Sequence, residues 1–520
     1  MGKQTSWFRI IAEMTSWLLI AVLAAGIFLT ATSSGIGLVS DSFFYIGGSE
    51  GIINGEGFAR PAADGSWKTI THFPPLYSAL LAIPGYFLPM TDAAEVLNLV
   101  LFVVNALLAA HLVLRTTGHR ISGILAAIVW SLSPVLLKQQ VSVLSEGLFF
   151  IILLLWLLQM LQYTQTRRWG ALVVTGILVG LAYLTRYAGA ALIIPGILFI
   201  LFDSRSKIGD RLGRFLMFLC TGLLFPVVWA IRNFLLTGST SNRVFAWHPV
   251  SGVHAYNAAD TVVRWLSPID LPGLVEIALL GILLFALGVI FLAGLVRQSR
   301  GGLVSRERSS YAMLLLSGSI LAYLSLLVIS ISFFDASTPL DDRILSPVYA
   351  WLVLMLFTFV GKEMARGGKS LFRMFSLSLV VFLSVWLGYR GIRTVRESAK
   401  YPAGFAGQTW QDSPVVDYVR HLDAGTLLYS NEIDGLYLLT GRMAYLIPVQ
   451  WDPVSLQERE DYPERLETMR NRLMENEGAL VLFSTLSRQD FFPDEEVLSE
   501  GLTPVVEEAS GSIYRGGDSR

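Results

Sequence analysis

The chain has 520 residues, 53% of them hydrophobic and only 15% charged, with a mean hydropathy of +0.56 and a formal net charge of −1. Soluble domains of that total length would carry more charge, so the bulk of the chain belongs in a bilayer. The near-neutral balance, with no basic run interleaved with aromatics, gives no reason to expect nucleic acid, and the lone Cys220 excludes a disulfide framework or a CxxC metal cluster.

A span needs roughly 20 mostly apolar residues, and the pattern predicts about eleven, near 17–38, 93–114, 121–137, 146–162, 169–185, 188–202, 215–236, 274–296, 311–334, 344–360 and 375–389. Lys3 and Arg9 before the first run, and Ala31-Thr32-Ser33-Ser34 after it, have the layout of a signal peptide. The apolar character continues through Ile36 and Leu38, longer than a signal core, which predicts an uncleaved anchor.

The loop that follows, SDSFFYIGGSEGIINGEGFARPAADGSWKTITHFPPLY from Ser40 to Tyr77, is the most informative stretch. Ser40 or Asp41 suits the cap of a short helix over 42–53, which Asn54-Gly55 would end. Phe43, Phe44, Tyr45, Ile46, Ile52 and Ile53 predict that this helix lies in the interface plane. Asp41 stands where the first apolar run ends, at a depth where a charge is far cheaper than in the hydrocarbon core. It reads equally as a helix cap and as a chemical group. The next stretch, 76–88, is apolar but broken by Pro84-Gly85, which predicts a re-entrant or interfacial helix.

Further along, Glu146 begins the fourth predicted span, where a helix dipole favours an acid. Arg186 lies between two spans with too few residues for a real loop, and reads as a snorkelling side chain or a site residue. The loop 237–272 holds Trp247, His248, His254, Tyr256, Trp265 and Asp270, enough for sugar stacking but without metal-ligand spacing. In FDASTPLDDRILSP, Asp341, Asp342 and Arg343 stand just before a span, and arginine is a planar phosphate-binding group. The same pair could be an ordinary surface ion pair.

Lysine and arginine set the orientation. Lys3 and Arg9, Arg115 and Arg120, Arg167 and Arg168, Arg205 to Arg214, Arg297 to Arg308 and Lys362 to Arg373 outnumber the cations of the alternate loops, among them Arg60, Lys68, Lys138, Arg186, Arg243 and Arg343. The first set is expected to be cytoplasmic, in an inner or plasma membrane. That puts the N-terminus inside, and Asp41, Glu146, Arg186, Arg343 and the C-terminal region outside. From about Arg390 hydrophilic residues return, and short apolar strands at 426–429, 479–483, 505–506 and 512–514 alternate with helices at 413–422, 433–439 and 456–477. This predicts a small α/β domain, residues 393–520, appended to a helical membrane domain, residues 1–392, with its outer loop at 39–76. With no phosphate loop and no triad, it reads as accessory.

Acids, arginines and an aromatic loop on one membrane face suit a reaction between a lipid-anchored phosphate and an acceptor. In order along the chain, Asp41-Ser42-x-x-Tyr45, Gly55-Glu56-Gly57-Phe58, Pro74-Pro75-Leu76-Tyr77, Ser145-Glu146, Leu184-Thr185-Arg186 and Asp342-Arg343 with Pro347 resemble GT-C glycosyltransferases. The branch is that of the protein O-mannosyltransferases and lipid A aminoarabinose transferases, and the resemblance covers roughly residues 10 to 390. It implies a mainly helical polytopic fold and an inverting transferase that takes a sugar from a polyprenyl-phosphate lipid to a glycan, lipid or protein acceptor. By the resemblance Asp41 is the catalytic acid of the first outer loop, acting as base. Tyr45, His72 and Glu146 are expected to line the acceptor or sugar site, and Arg186, Arg343 and Asp342, chosen by position and not by motif identity, are expected to hold the donor phosphate.

The chain departs from these relatives at Ser42, where many have a second acid, at Phe73, where the aminoarabinose transferases have a lysine, and at Ile344, where many have a tyrosine. Some relatives use a divalent metal; with no clustered carboxylates around Asp41, none is expected here. Two alternatives stay open. A transporter or flippase for a lipid-linked sugar would need charges near mid-span and broken helices in paired repeats. A non-catalytic subunit of a membrane complex would be consistent with the three departures.

Overall fold

The computed structural model describes residues 2–240, 245, 247–267, 269–300, 308–335, 337–366, 371–451, 458–475, 478–484 and 492–516. Arg243, Arg306 and Lys369, used for orientation, lie outside them. Helix α1 (Gly2–Ala31) leads to α2 (Ser40–Ile53), an antiparallel ribbon of β1 (Ala59–Pro61) and β2 (Trp67–Thr69), and the short α3 (Leu76–Gly85). Then come α4 (Met90–Thr117), α5 (Arg120–Leu132), α6 (Pro134–Gln140), α7 (Glu146–Thr166), α8 (Trp169–Thr185) and a 3-10 turn (Tyr187–Leu192) running into α9 (Ile193–Leu201). The bundle is completed by α10 (Ile208–Thr237), α11 (Gly252–Leu266), α12 (Gly273–Ser299), α13 (Arg308–Phe333), α14 (Ser346–Arg366) and α15 (Leu371–Lys400).

Every apolar stretch predicted as a span is helical, but fewer are full-length spans than expected. Among the described residues seven helices are long and apolar enough to cross a bilayer, or eight if α5 and α6 count as one bent span. Pro134 is the cause of that bend: it cannot continue α5, and the chain turns by 61° at Ser133, whose side chain caps α6. Helix α8 falls short because Arg186 ends its apolar run, and the turn and α9 after it are short as well. The boundary drawn at 392/393 falls inside α15, which continues to Lys400.

Helix α2 turns part of its predicted apolar face into the protein: Phe43, Tyr45 and Ile46 are buried. The reason is its glycine face. A Cβ on Gly51 would come 2.3 Å from the Ala59 carbonyl oxygen, and one on Gly48 2.5 Å from the Phe58 ring, so only glycine lets the β1 segment press onto α2.

The C-terminal domain comprises α16 (Gln408–Gln411), α17 (Pro414–His421), β3 (Leu428–Ser430), α18 (Ile433–Thr440), β4 (Tyr445–Leu446), α19 (Tyr462–Glu475), β5 (Ala479–Phe483), α20 (Glu495–Leu498), β6 (Thr503–Glu508) and β7 (Gly511–Arg515). Its sheet runs β4-β3-β5-β7-β6, parallel at β4-β3-β5 and antiparallel beyond. Strand β5 is buried on both faces: Ala479, Val481 and Phe483 pack with α17 and α18, while Leu480 and Leu482 pack with α19. The predicted helix over 456–477 is seen as α19, which begins only at Tyr462 because Glu458 bridges to Trp451, while 456–457 and 476–477 lie outside the described residues.

A backbone junction ties the two domains together beside the predicted chemistry. Gly37 donates its N–H to the Val141 carbonyl (2.9 Å) and accepts from Val143 (2.9 Å), while Leu38 donates to Ala403 (3.0 Å) and accepts from Phe405 (2.7 Å). Buried amides fix the α6–α7 connection from within: Asn98 Nδ2 donates to the Gln140 and Ser142 carbonyls, and Asn105 Nδ2 to Gln140 Oε1 and the Gly147 carbonyl. The segment before α2, the connection before α7 and the start of the C-terminal domain therefore share one set of ladder bonds.

Candidate active site

Asp41 and Glu146 occupy the first turns of α2 and α7, which the junction brings side by side. Neither is spent as a simple cap. At α2 it is Ser42 Oγ that accepts the Val39 N–H (2.9 Å) and donates to the Val143 carbonyl (2.9 Å), leaving the Asp41 carboxylate to reach Arg343 Nη2. Glu146, with its side chain 1% exposed, receives Arg343 Nε at 2.7 Å and Arg186 Nη1 on the same oxygen, Oε1. Its Oε2 is buried and has no hydrogen-bond partner.

The arginines are held where helices break. Arg186 sits in extended backbone between α8 and the 3-10 turn, where Gly189 packs so closely that a Cβ would meet the Ala182 carbonyl carbon at 2.3 Å. It is paired inward, not snorkelling to headgroups. Arg343 lies in a turn that Asp341 Oδ1 organises by accepting the Arg343 and Ile344 N–H groups (3.0 and 2.9 Å). Tyr323 OH donates to the Ile344 carbonyl (2.7 Å), fixing the same turn from α13. Burial works against the Arg343 charge, but the Glu146 and Asp41 carboxylates outweigh it and hold its pKa above the ordinary arginine value.

The result is a chain Asp41–Arg343–Glu146–Arg186 whose formal charges cancel. Each guanidinium keeps N–H groups beyond those spent on carboxylates, and Asp41 keeps Oδ1, its Oδ2 being the atom that meets Arg343. A quarter of the Asp41 side chain (24%) is exposed, so its free oxygen is within reach of a ligand. Chemically, this is a carboxylate able to accept a proton, beside two cations able to receive an anion.

A family model described as dolichyl-phosphate-mannose-protein mannosyltransferase matches residues 73–230, a stretch that includes Glu146 and Arg186. The apo crystal structure of ArnT from Cupriavidus metallidurans superposes with a TM-score of 0.54 at 12% identity, covering 97% of this chain and 98% of that one. The chain has the fold of the GT-C superfamily of membrane glycosyltransferases. Other GT-C structures found are the Archaeoglobus fulgidus oligosaccharyltransferase complexed with Zn and sulfate (TM-score 0.49, 14% identity, 89% of this chain and 68% of that one) and the arabinofuranosyltransferase AftD from Mycobacteria (TM-score 0.46, 15% identity, 96% and 41%). No curated protein matches in sequence.

Within this fold the other predicted site residues are less central. Tyr45 is buried, its hydroxyl 2.8 Å from Ser145 Oγ, beside Glu146 but walled off by packing. His72 and Phe73 pack on Phe44, with ring centroids 4.6 and 4.8 Å away, as part of an aromatic wall one turn along α2 from Asp41. Asp342 is not brought into the cluster: its Oδ1 accepts the Trp265 indole N–H (2.9 Å), which ties α11 to the turn. Trp265 is thus a buried structural residue, and His254 caps α11 through Ser251. Among the described residues no group of three His, Cys, Asp or Glu side chains is disposed to hold a metal.

Sequence reasoning missed what lies above α2. Helix α18 of the C-terminal domain packs on it: Tyr437 OH donates to Glu50 Oε2 (2.5 Å), and its ring meets Phe43 edge-on at 5.4 Å. Asp434, one turn earlier on α18, faces the same way. Burial, then Glu432, with Asp41 adding, pushes its carboxyl up to about 8, while Arg60 pulls it down. The domain read as accessory therefore roofs the Asp41 helix.

Proposed function

We propose that the chain is an inverting glycosyltransferase that moves a sugar from a polyprenyl-phosphate donor to an acceptor hydroxyl on a glycan, lipid or protein. The site works on the outer face of an inner or plasma membrane, the N-terminus being cytoplasmic; the poverty of lysine and arginine in the loops that carry Asp41, Glu146, Arg186 and Arg343 supports this orientation. The observation that carries the reading is the double engagement of Arg343, which joins Asp41 to Glu146 across distant parts of the sequence.

In the reaction, Asp41 Oδ1 takes the acceptor hydroxyl proton as that oxygen attacks the anomeric carbon from the face opposite the phosphate. The bond from the anomeric carbon to the phosphate oxygen breaks, and its electron pair leaves with the polyprenyl phosphate. Arg343 orients Asp41, Glu146 holds both arginines, and their remaining N–H groups receive the phosphate oxygens. His72 and the aromatic wall line the sugar. Guanidinium groups already occupy the carboxylates at this site, so the cationic role falls to arginine.

Transfer from a polyprenyl-phosphate sugar by purified membranes is the direct test. Asp41→Asn keeps the shape and removes the base, and should lower turnover by about 100- to 10,000-fold with an unchanged melting temperature. Full turnover in that variant would sink the assignment.

A further inference from the structure

Among the described residues near the site, Arg60 is a cation with no carboxylate oxygen within ion-pair distance. Its guanidinium lies 5.2 and 5.5 Å from the ring centroids of Phe43 and Phe44, and its hydrogen bond is Nη1 donating to the adjacent Pro61 carbonyl at 3.2 Å. Among the described residues it forms no ion pair within 4.0 Å, although Asp434 and its own burial act on it from above. A half-buried cation with so few partners is costly to keep. The fold nevertheless fixes it with care: a Cβ on Gly47 would come 3.1 Å from the Arg60 Cβ and 3.3 Å from Pro61 Cδ.

Its surroundings favour an anion. Arg60 and Lys68 are directly paired across the β1–β2 ribbon, so both project from one face, an arrangement of like charges that costs energy until something negative joins them. Phe44, beneath the guanidinium, is three residues from Asp41 and so on the same side of α2. Phe44 is therefore one helical turn along α2 from the proposed base, and Arg60 lies over that ring.

Charge balance says what it is for. The four charges of Asp41, Arg343, Glu146 and Arg186 cancel, so the cluster can orient a phosphate but offers no net positive charge. A glycosyl phosphodiester carries one negative charge, and departure of the sugar adds a second on the phosphate oxygen that kept the electron pair. Stabilising that second charge calls for a cation not already neutralised.

We propose that Arg60, seconded by Lys68, binds the phosphate of the donor lipid and supplies the positive charge that stabilises its departure. This rests on the glycosyltransferase reading. Such a group contacts the leaving group itself, and the β1–β2 ribbon is then part of the donor site.

The test uses the purified full-length chain in nanodiscs, with farnesyl phosphate as the probe and farnesol as its uncharged control. Wild type should prefer the phosphate, and Arg60→Gln should weaken farnesyl phosphate binding about 10- to 100-fold while leaving farnesol unchanged. Arg60→Lys keeps the stem and charge but loses the planar fork, and should recover part of the loss; it carries the test should Arg60→Gln fail to fold, with a 3- to 10-fold weakening expected, about that of one lost charged hydrogen bond. Lys68→Ala should give a smaller loss. Binding by Arg60→Gln, or by Arg60→Lys in its place, that equals wild type while wild type still prefers phosphate over farnesol overturns this assignment and leaves the proposed reaction standing. Equal binding of farnesyl phosphate and farnesol by wild type overturns both.

Discussion

Each end of the bundle holds a buried carboxylate between two arginines, and the two differ in how fully they are satisfied. At the end away from α2, Asp203, with its side chain 2% exposed, uses both oxygens: Oδ1 accepts Arg205 Nε (2.9 Å) and its backbone N–H (3.2 Å), and Oδ2 meets Arg167 Nη2 and Arg205 Nη2. At the other end Glu146 gathers Arg186 and Arg343 on Oε1 and leaves Oε2 without a partner. The chemical pieces match. The Asp203 carboxylate has both oxygens engaged and acts as a lock, although Arg167 Nε beside it is left without a partner; the Glu146 carboxylate keeps a free oxygen, and an unsatisfied buried acid is where a fold bears a cost for function.

The strongest way to break that comparison is to remove each acid. Glu146→Ala leaves Arg186 without a counter-charge and Arg343 with Asp41 alone, and should cost about 3–5 kcal/mol of stability and reduce transfer to background. Asp203→Ala should cost a similar amount, about 3–5 kcal/mol, yet leave turnover per folded molecule at the wild-type level. Melting curves beside turnover normalised to folded protein separate the two; loss of turnover in folded Asp203→Ala would erase the distinction between lock and site.

Titration sharpens it further. Burial of Asp203 favours its neutral form, but Arg205 and Arg167 prevail and hold its pKa below the ordinary carboxylate value. Its contribution is therefore complete above about pH 4 and is lost as pH falls through the lowered folded pKa. Asp203→Asn should flatten the acid limb of a melting-temperature profile. Asp434, above the Asp41 helix, has the opposite sign, since its folded pKa is raised to about 8. Below the ordinary carboxylate value, about 4, it is protonated whether folded or not; as pH rises from there through about 8, ionisation increasingly favours the unfolded or undocked state. Asp434→Asn should thus raise the melting temperature at pH 9 more than at pH 6, a smaller effect than either acid deletion. An unchanged pH 6-to-9 slope would remove Asp434 from the charged surroundings of Asp41.

Local pattern carried much of this fold. The apolar runs are helices, the α2 cap region lies within two residues of its predicted start, and the C-terminal α/β pattern is seen with one strand, β4, unforeseen because it is only two residues long. Asp41, Glu146, Arg186 and Arg343 were also legible, as charges at one membrane depth. Their pairing was not. Arg343 and Asp41 are 302 residues apart, and the contact depends on ladder bonds at Gly37 and Leu38 that no periodicity encodes. Asp342 was misjudged because adjacent residues in a tight turn point to different neighbours, one toward Trp265 and the next toward the site. Arg60 was legible only as a loop cation, because its place depends on the glycine face of α2, and a predicted helix over 42–53 does not say what Gly47, Gly48 and Gly51 pack against.

The junction at Leu38 and Gly404 also bears on how such a protein can be rebuilt. Gly404 adopts φ +63°, and a Cβ there would sit 2.0 Å from the Leu38 carbonyl oxygen. Any transplanted C-terminal domain would have to begin with a glycine of that handedness and an extended segment able to bond Leu38, or α2 would lose its footing. Exchange of the C-terminal domain in this chain is thereby restricted to modules that share that stitch of two residues, however different their folds beyond it.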